Sequence, residues 1–515
     1  MNSIKDISEG VLFTDFYQLT MAQLYFQTGI HKKRVQFEYY FRNYPDYGGH
    51  QAGYCINAGL QWFIDWIKEV SFTTDSIRHL ASQHSSSGEQ LFKPDFLNYL
   101  KDLSIIDNIN LRAIPEGRVV HANEPLVIIQ GDLLSAQLLE SALLNNLNFQ
   151  TLIATKASRI REAGQGRPLI EFGLRRAHHT GANAGTRAAL IGGADFSSNT
   201  GTSCKLGFPP RGTHAHSMVQ VFLAAGEGEL AAFRAYARTY PDDCLLLVDT
   251  INTLESGIPN AIRVFEMLRR EGHRPVGIRL DSGDLAYLAI QGAAMLDKAG
   301  FEDTIIVLSN NIDEMVLLQV LRQINDESPR YGINPQKIIN RLVYGVGTNL
   351  ITSQGRCALD GVYKLTAVKN DQDWFPSLKI SDSVQKASIP GCKQLWRIYD
   401  SRNLSNADLL TLDYENPSVM QEILLHHPFD ADANRTMNKS DISNVEPLLV
   451  EIVKEGKLCY TFPSIEEMRR IRNHDLTHLE PGVKRLINPH RYHVSLSENL
   501  WNLREEVISS QKHSV

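Results

Sequence analysis

Three things are missing from this 515-residue chain: paired cysteines at C-x-x-C spacing, an apolar run approaching 18 residues, and an excess of basic charge. Each absence removes a class. The six cysteines (Cys55, Cys204, Cys244, Cys357, Cys392, Cys459) are dispersed, so neither a disulfide framework nor a zinc knuckle is expected, and the thiols read as reduced. Without a long apolar run no spanning helix is expected. The opening MNSIKDISEG carries acids and no apolar core, so it does not read as a signal peptide, and a soluble cytoplasmic protein is the expectation. Lys and Arg number 52 against 58 Asp and Glu, a net charge of −6, which excludes binding to nucleic acid or an anionic membrane through net charge. What remains is ordinary globular composition, 43% hydrophobic and 21% charged, in a chain well beyond the ~150 residues of one domain.

The first part mixes elements. Phe16–Phe26 has one apolar helical face, Val35–Phe41 is aromatic and β-branched, and Leu111–Ile114 and Leu126–Gln130 read as short strands before a long helical stretch over 135–163. After residue 168 short apolar runs recur every ~20–30 residues, most leading into a helix. They are Pro168–Gly173, Ala188–Gly193, Gly212–Ser217, Leu245–Val248, Val276–Leu280, Ile305–Leu308 and Leu342–Val346. Between them, Pro259 starts a helix with Ala261, Val264, Phe265 and Leu268 on one face, and Leu317, Val320, Leu321 and Ile324 repeat that spacing behind Asp313. Strand–helix alternation with buried strands is the form of a parallel β/α architecture, and about seven such units predict a closed or nearly closed barrel. The tail from 353 is less periodic, with a polar stretch over 400–444 and two helical pieces near its end.

In such a barrel reacting groups collect at the carboxyl ends of the strands. Those ends carry Arg175 and Arg176, then Asp195, then Thr213, His214 and His216, then Asp249 and Thr250. Asp281 and Asp284, Ser309-Asn310-Asn311 and Gly345-Val346-Gly347-Thr348 complete the series. Gly345, Gly347 and Thr348 could cradle a phosphate through backbone N–H groups, or form a plain turn. Asp281 and Asp284 suit Mg²⁺ or ribose hydroxyls, or cap the helix that follows. If the strand persists, His214 and His216 share a face, but no neighbouring carboxylate supports zinc, and acid/base or nucleophilic work is the better reading. Arg175, behind a strand carrying Glu171 and Phe172, suits an anionic flat ligand, or pairs with Glu171. The paired histidines His178-His179 and His426-His427 read as solvated, and His474 with His478 as a helix surface.

Taken together, the chain resembles the nicotinate phosphoribosyltransferases. The resemblance rests on Thr14-Asp15-Phe16-Tyr17-Gln18-Leu19-Thr20-Met21, Phe41-Arg42, Phe172-Gly173-Leu174-Arg175-Arg176-Ala177 and Gly212-Thr213-x-Ala215-His216-Ser217. It continues through Val248-Asp249-Thr250, Arg279-Leu280-Asp281-Ser282-Gly283-Asp284-Leu285, Gly345-Val346-Gly347-Thr348 and Gly361-Val362-Tyr363-Lys364-Leu365. It implies a type II phosphoribosyltransferase-like fold: an irregular β/α barrel with an α+β domain formed from the N- and C-terminal segments. The corresponding division is an N-terminal α+β part over 1–134, a catalytic barrel over 135–352 and a C-terminal segment over 353–515 packing with the N-terminal part.

The activity implied is that of an ATP-coupled ligase of NAD salvage. It joins nicotinate to phosphoribosyl pyrophosphate with Mg²⁺ and ATP, through a transient phosphohistidine, in a homodimer. By the same resemblance His216 carries the phosphoryl group, with Asp249 and Asp281 stabilising the sugar cation. Arg279, Thr213 and Tyr17 contact nicotinate with Phe172 and Arg175, Gly345, Gly347 and Thr348 hold the 5-phosphate, and Asp281 and Asp284 bind metal. Nicotinamide and quinolinate phosphoribosyltransferases are the neighbouring possibilities, and a non-catalytic nucleotide-binding protein the possibility from another class.

Overall fold

The alternation expected after residue 168 forms a parallel sheet. In this computed structural model, which describes residues 10–379 and 388–512, six strands pair side by side. Their order is Phe196–Ser197, Leu169–Glu171, Leu342–Val346, Ile305–Ser309, Gly277–Leu280, Leu245–Leu247. Every pair is parallel. The first strand in sequence pairs with the last, so the sheet runs round in chain order with a single break between Phe196–Ser197 and Leu245–Leu247. This is the irregular barrel.

The break lies where Gly212–Ser217 was expected to supply a strand. It is irregular backbone instead, leading into the helix His216–Ala224. Two hydrogen bonds compensate for the missing ladder: Arg211 donates its backbone N–H to the Ser197 carbonyl at 3.0 Å, and the Leu247 N–H donates to His214 Nε2 at 3.0 Å. A side chain thus satisfies a backbone group that a strand would have paired. Ala188–Gly193 also departs from expectation, falling at the end of the buried helix His179–Gly192 and at its glycine C-cap. A short buried apolar run carries no period that separates helix from strand.

The expected helices form. Ile258–Arg270 buries Ala261, Val264, Phe265 and Leu268, and Glu314–Glu327 buries Leu317, Val320, Leu321 and Ile324 behind the cap of Asp313. Ile170, Leu245, Val307 and Val343, from four different strands, meet in an apolar cluster. Burying such side chains is worth about 1.5–3 kcal/mol each.

The chain divides into two compact units, Ile153–Cys357 around this sheet and Met1–Leu152 with Ala358–Val515. In the latter, seven antiparallel strands run Asp373–Pro376, Gly361–Asn370, Arg34–Phe41, Val127–Asp132, Ile109–Ala113, Val450–Lys454, Lys457–Leu458. A six-stranded sheet in the same unit runs Asn434–Asn438, Glu422–His426, His493–Leu496, Ser405–Leu412, Lys393–Asp400, Ile442–Pro447. The polar 400–444 stretch therefore contributes strands to this sheet along about half its length. Its alternation is obscured because charges are buried in pairs: Arg397 bonds Asp408 with two nitrogens, at 2.9 and 2.6 Å, in full burial. The stretch over 135–163 is two helices, Leu133–Leu138 and Glu140–Ala163. All six cysteines are free thiols. Residues 1–9, most of the segment read for a targeting signal, lie outside the described residues.

Candidate active site

The carboxyl ends of three neighbouring strands and the loop filling the break gather one polar cluster. Arg279, near the end of Gly277–Leu280, sends Nη2 to Asp281 Oδ1 at 2.8 Å, Nε to Ser309 Oγ at 2.9 Å and Nη1 toward Thr213 Oγ1 at 3.4 Å. Ser309 closes the triangle by donating to Asp281 Oδ1. Phe172 lies against the guanidinium, 5.3 Å from carbon to ring centroid. Burial pushes the Asp281 carboxyl up, but the Ser309 bond and the Arg279 charge outweigh it and hold it below the usual range. Asp281 is therefore an anion at neutral pH.

His216 opens the helix His216–Ala224 and faces this pair of acids. Its Nε2 is 3.7 Å from Asp281 Oδ2 and 3.9 Å from Asp249 Oδ1, while Nδ1 lies 3.1 Å from Thr250 Oγ1. The imidazole is 38% exposed, open enough to meet a ligand. His214 goes elsewhere. Burial lowers its pKa to about 4, so it stays neutral and serves the Leu247 N–H. The two histidines have separate surroundings because the expected strand is absent.

Asp249 accepts the Asp281 N–H at 3.1 Å and the Ser282 hydroxyl through Oδ2, while its buried Oδ1 has no hydrogen-bond partner. A buried unsatisfied carboxylate oxygen is costly and marks a place for a cation or donor. Magnesium takes one or two carboxylates and completes its octahedron with water and substrate phosphates, and Asp249 Oδ1 with Asp281 Oδ2 fits that pattern. Asp284 fits it poorly. Its Oδ1 caps the helix Leu285–Lys298 through the N–H groups of Ala286 and Tyr287, and its Oδ2 accepts from Gln323. Among the described residues no group of three or more acidic, histidine or cysteine side chains is placed so that all could hold one metal ion.

The Gly345–Thr348 turn follows the strand Leu342–Val346. Gly345 leaves room for Phe172, since a Cβ there would stand 2.4 Å from its ring, and a Cβ at Gly347 would stand 3.3 Å from the Phe172 carbonyl. Thr348 is exposed at the turn. Beside it, Asn310 and Asn311 hold positive φ of 108° and 49°, a conformation uncommon outside glycine and concentrated at functional sites. Asn349 bonds the carbonyls of Asn311 and Ile312, fixing that loop.

Other expectations fall outside the cluster. Glu171 is not the partner of Arg175: it is buried among Ser197 Oγ at 2.6 Å, Thr186 Oγ1 at 3.0 Å and the Gly173 N–H, and burial raises its pKa. Arg175 and Arg176 are exposed. Tyr17 belongs to the other unit, half exposed and bonded to Glu140 at 3.2 Å. His178 and His179 are exposed as expected, whereas His426 is partly buried and stacks on Trp501 at 5.3 Å. Ser309 and Thr250 were visible only as hydroxyls at strand ends. Their bonds to Asp281, Arg279 and His216 join residues about 30 positions apart, which no local pattern reveals.

Comparison with known proteins identifies relatives of the whole chain. Residues 12–148 match the nicotinate phosphoribosyltransferase N-terminal domain and residues 392–504 the C-terminal domain. A Bacillus subtilis (strain 168) nicotinate phosphoribosyltransferase is 37% identical over 508 residues, covering 98% of this chain and 96% of the relative. The crystal structure of human nicotinic acid phosphoribosyltransferase superposes with a TM-score of 0.77 at 30% identity, over 96% of this chain and 99% of that one. A nicotinate-nucleotide pyrophosphorylase from Pyrococcus furiosus shares the fold, with a TM-score of 0.64 at 19% identity, over 93% of this chain and 97% of that one.

Proposed function

The chain belongs to the nicotinate phosphoribosyltransferase family, and from that premise we propose that it joins nicotinate to phosphoribosyl pyrophosphate in NAD salvage, with ATP coupled through His216. The observation that carries this reading is the convergence of His216, Asp249, Asp281, Arg279 and Thr213 at one end of the parallel sheet.

In the bond-making step the ring nitrogen of nicotinate bonds to the anomeric carbon as the bond from that carbon to pyrophosphate breaks. The sugar acquires positive charge between the two events. Asp281, held ionised by Arg279 and Ser309, and Asp249 supply fixed negative charge where it develops. The Arg279 Nη1 edge with the Thr213 hydroxyl offers donors to the nicotinate carboxylate, and Phe172 backs the guanidinium. Bound at Asp249 and Asp281, Mg²⁺ supplies charge neutralisation for the pyrophosphate oxygens. Gly345, Gly347 and Thr348 receive the 5-phosphate, with the glycines leaving room at the turn.

His216 takes the γ-phosphoryl of ATP on Nε2: the N–P bond forms, ADP leaves, and later hydrolysis returns inorganic phosphate and free imidazole. A dianionic group there stands against Asp281 and Asp249, 3.7 and 3.9 Å from Nε2, so phosphorylation reorganises the site through charge repulsion. The active form is proposed to be a homodimer. No helix among the described residues is long and apolar enough to cross a membrane.

The test is turnover of nicotinate, nicotinamide and quinolinate side by side, with phosphoribosyl pyrophosphate and with or without ATP. Nicotinate mononucleotide formed from nicotinate, faster with ATP, is expected. Turnover of nicotinamide or quinolinate alone would replace the substrate, and no product from any combination would leave a nucleotide-binding protein.

A further inference from the structure

Far from the strand-end cluster in sequence, the unit formed by Met1–Leu152 and Ala358–Val515 contains a cleft of about 650 Å³, within the range of small-molecule sites. Its lining holds Arg42, Arg435 and Arg491 with His427, His490 and His493, and no aspartate or glutamate lines it. In a chain of net charge −6 with 58 acids, a lining of 22 residues without one is a local reversal of sign. The nearby acids are already engaged or set aside. Asp360 accepts from the backbone N–H groups of Arg42 and Asn43 and from the Asn43 amide, and Asp430 lies beside His427 on the hairpin loop.

Arg435 bonds only neutral oxygens, the carbonyl and side chain of Asn406, at 3.3 and 2.6 Å. Neither Arg435 nor Arg491 has a carboxylate within ion-pair distance among the described residues. The field inside the cleft shows on His493, whose pKa is lowered first by burial and then by Arg435, His490, His427 and Arg491. Like charges gathered in one cleft repel one another, and an anion placed among them relieves that repulsion.

The walls are firm. Tyr492 donates to the buried Asp408 at 2.8 Å and stacks on His121 at 3.7 Å between centroids, and the flanking His493–Leu496 strand is paired to Ser405–Leu412. Phe429 and Val494 add an apolar side. Arginines together with an aromatic ring in one lining match a molecule with both phosphate and a flat ring.

The geometry points to a second ligand site here, shared with no residue of the strand-end cluster: a polyphosphorylated, nucleotide-sized anion, with its phosphates on Arg435 and Arg491 and its ring toward Phe429. Arg491 is exposed and unbonded, so its substitution removes charge without removing packing.

The experiment is calorimetric titration of the full-length protein with ADP and, separately, with inorganic tripolyphosphate, in the absence of nicotinate and phosphoribosyl pyrophosphate. Parent, Arg491→Gln, Arg435→Gln/Arg491→Gln and His216→Ala proteins are compared, with melting temperature as a control for folding. Expected is a binding component kept in His216→Ala, weakened at least tenfold in Arg491→Gln and abolished in the double variant, with turnover of nicotinate unchanged within twofold. Tripolyphosphate binding as well as ADP assigns the site to the phosphate chain, and ADP alone assigns it to nucleotides; both support it. Binding of each probe unchanged in Arg491→Gln and the double variant overturns the site. So does loss of binding together with loss of basal turnover, which would place these arginines in the catalytic machinery.

Discussion

His216 Nδ1 lies 3.1 Å from the Thr250 hydroxyl, which leaves Nε2 as the nitrogen that meets the two carboxylates. One hydroxyl therefore decides how the imidazole is presented, since the group bonded to one ring nitrogen orients the other.

Incubation with γ-phosphate-labelled ATP should give acid-labile label on the parent and on His214→Ala, and none on His216→Ala. Autoradiography after mild and acid treatment reads this directly. Label lost only with His214→Ala would move the phosphoacceptor to a residue the structure uses for the Leu247 N–H.

Replacing Asp281 by Asn keeps the shape but removes the charge facing the sugar. A fall in kcat/KM of about 10²- to 10³-fold is expected, mostly in kcat, as for loss of one preorganised electrostatic group. Asp284→Asn should cost far less, because it holds a helix end rather than facing His216. Steady-state kinetics with saturating Mg²⁺ separates the two.

Ser309→Ala breaks the triangle with Arg279 and Asp281. Bonds to charged groups are worth about 1.5–3 kcal/mol, so kcat/KM for nicotinate should fall about 10- to 100-fold. The acid limb of the kcat/KM profile should also move up in pH, since the Ser309 bond is one cause of the lowered Asp281 carboxyl. An unchanged profile would reduce Ser309 to packing.

His214 carries a pH signature of stability. Its folded-state pKa is lowered to about 4, against an ordinary 6.5, so below about pH 6.5 the unfolded chain takes up the proton first. The neutral buried ring contributes fully above that pH and loses its contribution as pH falls to 4, a cost of up to about 3 kcal/mol. Urea unfolding of the parent and of His214→Gln at pH 7.5, 5.5 and 4.5 should show a shallower pH slope in the variant. The fully buried His121, lowered to about 3, keeps the slope from vanishing.

Gly345→Ala places a methyl group 2.4 Å from the Phe172 ring. Moving that ring costs about 1–3 kcal/mol of overpacking and displaces the aromatic from Arg279. Denaturant unfolding should show the destabilisation, and KM for nicotinate should rise.

The amino-acid pattern by itself determined the strand-and-helix rhythm, because apolar runs and helical spacing are local and survive in any context. It also placed Asp249, Asp281 and Thr213 at strand ends or in the loops beyond them, since residues just past an apolar run have no other place to go. Three matters were decided only by the tertiary structure. Gly212–Ser217 falls where the rhythm calls for a strand, yet the sheet breaks there and His214 takes over a backbone bond, an outcome set by neighbouring strands. Asp281 and Asp284 look equivalent in one turn, but one meets Arg279 and Ser309 while the other caps a helix, because a turn sends its side chains in different directions. The cationic cleft joins residues near 42, 435 and 491, whose charges are unremarkable along the chain and become a site only when two sheets of one unit bring them together without an acid among them.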